Sequence, residues 1–151
     1  MSYNKWPKRS AEKNYFMVPN EIFDIGLDFR EISLYTYLLR YENRDTYQCY
    51  PSYKTIGKAV KMCENTVRRY VLSLEEKGLI RTEPTTITTK DGRIRNGSLR
   101  YTIRPIQEAP EIFYQRQLTR AEEEAEKARL RKRLAQLNKE NHINETERVS
   151  A

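Results

Sequence analysis

The stretch that decides the fold is SYKTIGKAVKMCENTVRRYVLSLEEKGL, residues 52–79. Ser52 follows Pro51, and a serine just outside an apolar-periodic run is a helix N-cap. Ile56, Ala59 and Val60 then share one helical face. Gly57 sits in mid-helix, where it costs about 1 kcal/mol relative to Ala, a cost that close approach of another helix would justify. Only Lys61, Met62 and Cys63 separate this helix from the next, whose Val67, Val71, Leu74 and Gly78 recur at helical spacing. Gly78 is the natural residue to end that helix, with Leu79 as the apolar contact after it. Two short helices joined by about three residues are the helix-turn-helix plan, and the second of them would be the recognition helix.

Working upstream, Leu27, Asp28, Glu31 and Ile32 form a capping box joined to a hydrophobic staple, a strong helix start. Ile32, Tyr35, Leu38 and Leu39 continue as its expected buried face through about Tyr41. Asn20–Ile25 suits one helical turn stopped by Gly26, and Tyr15–Val18 an extended segment laid against the core. Residues 1–14, with Lys5, Lys8, Arg9, Lys13 and Pro7, have the composition of a basic flexible arm. Downstream of the first helix, Tyr47–Tyr50 suits a short extended piece.

After Gly78 the chain turns to strand composition. Ile80–Thr89, interrupted by Pro84, and Ser98–Arg104, which alternates Leu99, Tyr101 and Ile103 with polar residues, read as two strands. The loop between them holds Asp91-Gly92 and Asn96-Gly97, both hairpin-turn dipeptides. Three helices followed by strand, basic loop and strand give a winged helix over residues 15–105. The expected fold class is mainly α with a small β-wing, a winged helix-turn-helix followed by a long C-terminal helix.

Residues 106–141 are expected to be a linker bracketed by Pro105 and Pro110 and then one long charged helix from about Glu111 to Asn141, with residues 142–151 disordered. Ile112, Phe113, Tyr114 and Leu118 form an apolar patch at its start. Its apolar register, Leu118, Ala121, Ala125 and Ala128, slips to Leu130, Leu134 and Leu137. Such a register leaves two readings open, a solvated helix or a homodimer or protein partner held through this helix.

The charge of this 151-residue chain is unevenly divided: residues 1–105 carry 19 Lys/Arg against 12 Asp/Glu, the whole of the net +7, while residues 106–151 carry nine of each. A basic first part suits a polyanion such as nucleic acid. No run of about 18 apolar residues exists and the first residues lack the apolar stretch of a secretory signal, so no membrane association and a cytoplasmic location are expected. Cys49, Cys63 and the lone His142 have no metal-ligand spacing, so neither metal nor cofactor is expected. There is no Gly-rich phosphate loop, carboxylate cluster or Ser/His or Cys/His constellation to carry enzymatic chemistry.

The segments FMVPNEIF, CYPSYKTIGKAV, ENTVRRYVLSLEEKGLI and YTI, within residues 16–103, resemble the winged helix-turn-helix domains of plasmid and phage replication initiators, replisome organisers and small mobile-element regulators of Gram-positive bacteria. Tyr50 occupies a position that in this family is often tryptophan. The resemblance implies binding of double-stranded DNA, without selecting among replication, transcription and element transfer. Two residues depart from the family pattern: Lys61 stands where the turn commonly has glycine, and Cys63 where it commonly has a serine N-cap. A thiol is a poor acceptor for a backbone N–H, so a weak cap costing on the order of 1 kcal/mol is expected unless Asn65 shifts the cap inward. A buried structural role for Cys63 is favoured over redox sensing.

With Val67, Val71 and Leu74 facing the core, the recognition helix presents Glu64, Asn65, Arg68 and Arg69, with Thr66 near its start. Arg pairs bidentately with guanine, Asn with adenine, and Glu accepts from cytosine. Lys54 and Lys58 on the preceding helix, with Tyr53 and Thr55, are expected to position the protein on phosphates. Lys90, Arg93 and Arg95 lie where a wing reaches the backbone or minor groove. The plain alternative for each is a solvated surface. Tyr15, Tyr35, Tyr37, Tyr41, Tyr47, Tyr50, Tyr53 and Tyr70 suit amphipathic packing at the core edge better than base stacking. A second functional reading is a protein–protein adaptor with the winged helix as scaffold and the C-terminal helix as its working part.

Overall fold

The computed structural model describes residues 15–149, with side chains as far as Lys139. The basic arm expected over residues 1–14 lies outside them. The chain divides into two compact units at Ile112. A single 3-10 turn, Asn20–Phe23, precedes helix α1, Phe29–Tyr41. Asp28 caps α1 by accepting from the N–H groups of Arg30 and Glu31, both at 2.8 Å, and the Glu31 carboxylate accepts from the Asp28 N–H at 2.8 Å. This is the capping box that the sequence predicts. The buried face is rotated from the expected one: Glu31, Leu34, Tyr35 and Leu38 are buried, while Ile32 and Leu39 are half-buried. The cause is Glu31, whose other contacts, Ser73 and Lys77, lie on the third helix and turn that edge inward.

Strand β1, Gln48–Cys49, leads to α2, Tyr53–Val60, where Ser52 Oγ accepts from the Thr55 N–H at 3.1 Å. Ile56 and Gly57 are buried and Ala59, expected on the same face, is exposed. Gly57 is required chiefly by the turn, since a Cβ there would lie 2.4 Å from the Met62 carbonyl oxygen, and α3 also comes close, with Val67 at 3.6 Å. Lys61 ends α2 in the left-handed region at φ 59° and ψ 42°. It does so without the glycine that suits this conformation best.

Helix α3, Glu64–Glu76, buries Val67, Tyr70, Val71 and Leu74. It closes as a Schellman motif: the Leu79 N–H donates to Leu74 and the Gly78 N–H to Glu75, each at 3.0 Å, with Gly78 at φ 77°. Leu74 and Leu79, the apolar pair of that motif, are both fully buried.

Strand β2, Ile80–Glu83, and strand β5, Arg100–Ile103, pair antiparallel, with β1 on the other edge of β5. Tyr101 and Ile103 point into the core from β5 as the alternation predicts. The long strand expected over Ile80–Thr89 is instead two, because Pro84 has no N–H to give the ladder. Its second part, β3, Thr86–Thr88, pairs with β4, Ile94–Asn96, as a separate two-stranded wing. Gly92 at φ 74° makes the wing turn. Asn96-Gly97 makes none: Asn96 pairs with Thr86, and a Cβ on Gly97 would lie 2.5 Å from Thr85 Oγ1.

Helix α4, Glu108–Val149, replaces the expected linker and runs through most of the expected disordered tail. Pro110 falls in its first turn, where the missing N–H has no intrahelical partner to lose, so it starts a helix rather than breaking one. No proline or glycine follows to stop the backbone before Val149. Ala109 is buried, and Ile112 covers Gly78, so the first turns of α4 complete the winged unit. Residues 15–18, expected against the core, form no strand, and Met17 is almost fully exposed.

Candidate nucleic-acid interface

The N-terminal ends of α2 and α3 and the base of the wing meet at one concavity of about 440 Å³. Tyr53 and Lys54 line it from α2, Glu64 from α3, and Ile87 and Asn96 from the wing. The recognition helix stands on its rim because the Gly57 turn is tight and the Schellman motif fixes where β2 departs. On α3 the side chains of Glu64, Asn65, Arg68 and Arg69 are exposed and Thr66 is half-buried. The two arginines lean to opposite sides. Arg68 lies 5.7 Å from the centroid of the Tyr53 ring on α2, and Arg69 lies 5.1 Å from that of Tyr70 on α3 itself. Stacking of this kind holds a guanidinium while leaving most of its donors free.

On α2, Lys54, Thr55 and Lys58 are exposed and Tyr53 half-buried. The Thr55 hydroxyl is 2.8 Å from Ser52 Oγ, so it serves the cap first. Burial pushes the Tyr53 phenol up from its ordinary pKa while the Arg68 charge opposes the rise, and the group stays a neutral donor. Lys90, Arg93 and Arg95 are exposed on the wing and are not among the residues lining the concavity, with Arg95 opposite Ile87 in the ribbon. Ile87 and Asn96 are the lining residues that sequence reading misses. No alternation marks them, since Ile87 pairs with Arg95 and Asn96 with Thr86, which puts the two on opposite faces of the ribbon.

The ion pairs are distributed unevenly. Lys77 pairs with Glu31, Arg81 and Arg100 with Glu83, Arg104 with Glu108, and Lys127 with Glu123. Among the described residues Lys54, Lys58, Arg68, Arg69, Lys90, Arg93 and Arg95 are in none of them. All seven are exposed, so the helix-turn-helix and the wing present positive charge to solvent.

The cysteines take opposite environments. Cys49 is buried, and desolvation pushes its thiol up to about 12. Cys63, expected to be buried, is exposed at the N-cap of α3, with Sγ 3.0 Å from Thr66 Oγ1 and no side-chain bond capping the helix. The Thr66 hydroxyl and the nearby free N–H groups of the helix start lower the thiol pKa. The exposure follows from the turn: an N-cap side chain points along the helix axis, out of the packed face. The tyrosines divide too. Tyr35 is buried and Tyr70 nearly so, whereas Tyr15, Tyr41, Tyr47 and Tyr50, in turns or at element ends, are more than half exposed. Among the described residues no group of three or more His, Cys, Asp or Glu could hold a metal, and no helix is long and apolar enough to cross a membrane.

A family model described as a helix-turn-helix domain matches residues 29–80, from the start of α1 to the first residue of β2. The chain thus carries a helix-turn-helix domain, extended by a wing and a C-terminal helix. Among solved structures, a "possible transcriptional regulator" from Methanosarcina mazei Go1 is similar at 15% identity and a TM-score of 0.46, over 77% of this chain and 96% of that one. Comparison with curated proteins gives no match.

Proposed function

We propose that this chain is a non-enzymatic, sequence-specific double-stranded DNA-binding protein that regulates transcription or initiates replication of a mobile element. Helix α3 enters the major groove, α2 rests on the backbone, and the wing reaches the adjacent backbone or minor groove. The observation that carries this reading is that seven exposed cations on these three elements, Lys54, Lys58, Arg68, Arg69, Lys90, Arg93 and Arg95, are in no ion pair among the described residues, with Lys54 lining the concavity. Glu64, Asn65, Thr66, Arg68 and Arg69 are the base-facing set, and Tyr53, Lys54, Thr55, Lys58, Lys90, Arg93 and Arg95 the backbone-facing set. Leu130, Leu134 and Leu137, all about half exposed or more, give α4 a short apolar stripe for self-association or a protein partner, and the exposed Leu118 lies off it by the register slip.

The test begins by selecting bound fragments from genomic DNA and titrating variants on the recovered site. Arg68→Ala and Arg69→Ala are each expected to lose about 1–3 kcal/mol and to relax preference at one base pair, with the fold intact. The double variant Arg93→Ala, Arg95→Ala is expected to weaken binding on all sequences alike, its log–log salt slope falling by about one for each phosphate no longer neutralised. Full retention of affinity and preference in both α3 variants rules out α3 as the reader. Failure to recover any DNA, together with a partner interaction insensitive to salt, favours the adaptor reading.

A further inference from the structure

Tyr70 is the point where α1 and α3 meet near the interface. Its phenolic oxygen lies 3.3 Å from Arg30 Nη1 and 3.5 Å from Arg69 Nη2, so two guanidiniums from different helices donate to one oxygen. Beside it is the Asp28 carboxylate, the cap of α1, whose ionised form the Tyr70 hydroxyl favours. Partial desolvation pushes the Asp28 pKa up, but hydrogen bonds from the Glu31 N–H, the Tyr70 hydroxyl and the Arg30 N–H, with the Arg30 charge, hold it below its ordinary value. Its carboxylate is thus anionic at neutral pH, one negative charge beside two positive ones. Neither Arg30 nor Arg69 is in an ion pair among the described residues.

Arg30 is exposed, and its guanidinium also stacks on the Phe29 ring at 4.7 Å from the centroid, which limits its rotamers. A guanidinium has five donors, and one bond to Tyr70 leaves most of them directed outward. Those outward donors of Arg30, in a patch with surplus positive charge, are suited to a tetrahedral anion with several acceptor oxygens. On the opposite side of α3, Arg68 and Tyr53 join the recognition helix to α2. A helix in the major groove is flanked by a phosphate chain on each wall, and the backbone-facing residues of α2 account for one wall only.

We infer that Arg30, held beside Arg69 by the Tyr70 hydroxyl, binds a DNA backbone phosphate on the α1 side of the recognition helix. This rests on the reading of α3 as a major-groove helix. Arg69 keeps its base, and Tyr70 is a positioning residue that fixes the distance between the base contact and the phosphate contact. The register of the protein on its site is thereby set from both walls.

The experiment uses the full chain and the selected DNA site, with Arg68→Ala as the marker of base reading. Arg30→Ala is expected to bind about tenfold more weakly at moderate salt on every sequence alike, with the salt slope reduced by about one and base preference unchanged. Replacing backbone phosphates one at a time by neutral methylphosphonate should reveal one position where the parent loses affinity and Arg30→Ala loses none. Melting temperature verifies that the variant is folded, as expected for an exposed side chain. If Arg68→Ala loses affinity while Arg30→Ala keeps the parent's affinity and slope, the phosphate site is overturned and the DNA-binding reading stands. A changed base preference without a changed slope also overturns it, by making Arg30 a reader. If the parent binds no DNA, both readings fall together.

Discussion

Cys63 shows how one atom at a helix start sets a local cost. The N-cap position calls for an oxygen acceptor, and a thiol fills it with no cap bond to the N–H groups of α3. Cys63→Ser should therefore raise stability by about 0.5–1 kcal/mol, read as a higher denaturation midpoint with an unchanged slope. An unchanged or lower midpoint would falsify the capping account. The weak cap is legible in the sequence because capping depends on residues three apart. The exposure of Cys63 is not, because it depends on how the α2–α3 turn sits on the core. Glu31 is a similar case: its role in the capping box is local and readable, whereas its bonds to Ser73 and Lys77, more than forty residues on, are not. Arg30 escapes sequence reading for the same reason, since its partner Tyr70 lies on another helix.

Between elements, the tight α2–α3 connection rests on Gly57. Alanine is the better helix former by about 1 kcal/mol, yet its Cβ would meet a backbone oxygen that cannot rotate away. Gly57→Ala is expected to destabilise the domain by about 1–3 kcal/mol in chemical denaturation and to weaken DNA binding as the recognition helix is displaced. A variant as stable as the parent would show that the turn relaxes freely. Element type is readable wherever the periodic run is long: α1, α2 and α3 start at the expected N-cap positions, although the buried faces of α1 and α2 depart from the expected ones. The wing is less readable because its strands have only three residues each and no buried face, so no apolar alternation marks their limits. Dipeptide turn signals mislead at Asn96-Gly97, where glycine answers to crowding by Thr85 and Ile87 instead of to turn geometry.

For the whole chain, the boundary between winged unit and tail falls inside α4 and not at Pro105. Proline reads in sequence as a break, but at a helix's first turn it is a beginning, and tertiary packing of Ala109 and Ile112 decides between the two. Cutting after Gln115 should leave a domain with nearly the parent's melting temperature, whereas cutting after Ile106 removes both packing residues and should lower stability by about 2–5 kcal/mol. Equal melting temperatures for the two truncations would contradict that boundary. If α4 pairs two copies, the chain cut after Gln115 should also sediment as a monomer and lose avidity for a two-half-site operator while keeping base preference. Inside the winged unit, Glu31 and Lys77 tie the start of α1 to the end of α3, and Lys77 also donates to the Gly26 carbonyl at 2.9 Å. In the language of hydrogen exchange, these contacts are expected to make the two ends one foldon: fraying of α1's first turn should release the last turn of the recognition helix, so that their amides exchange through a shared opening.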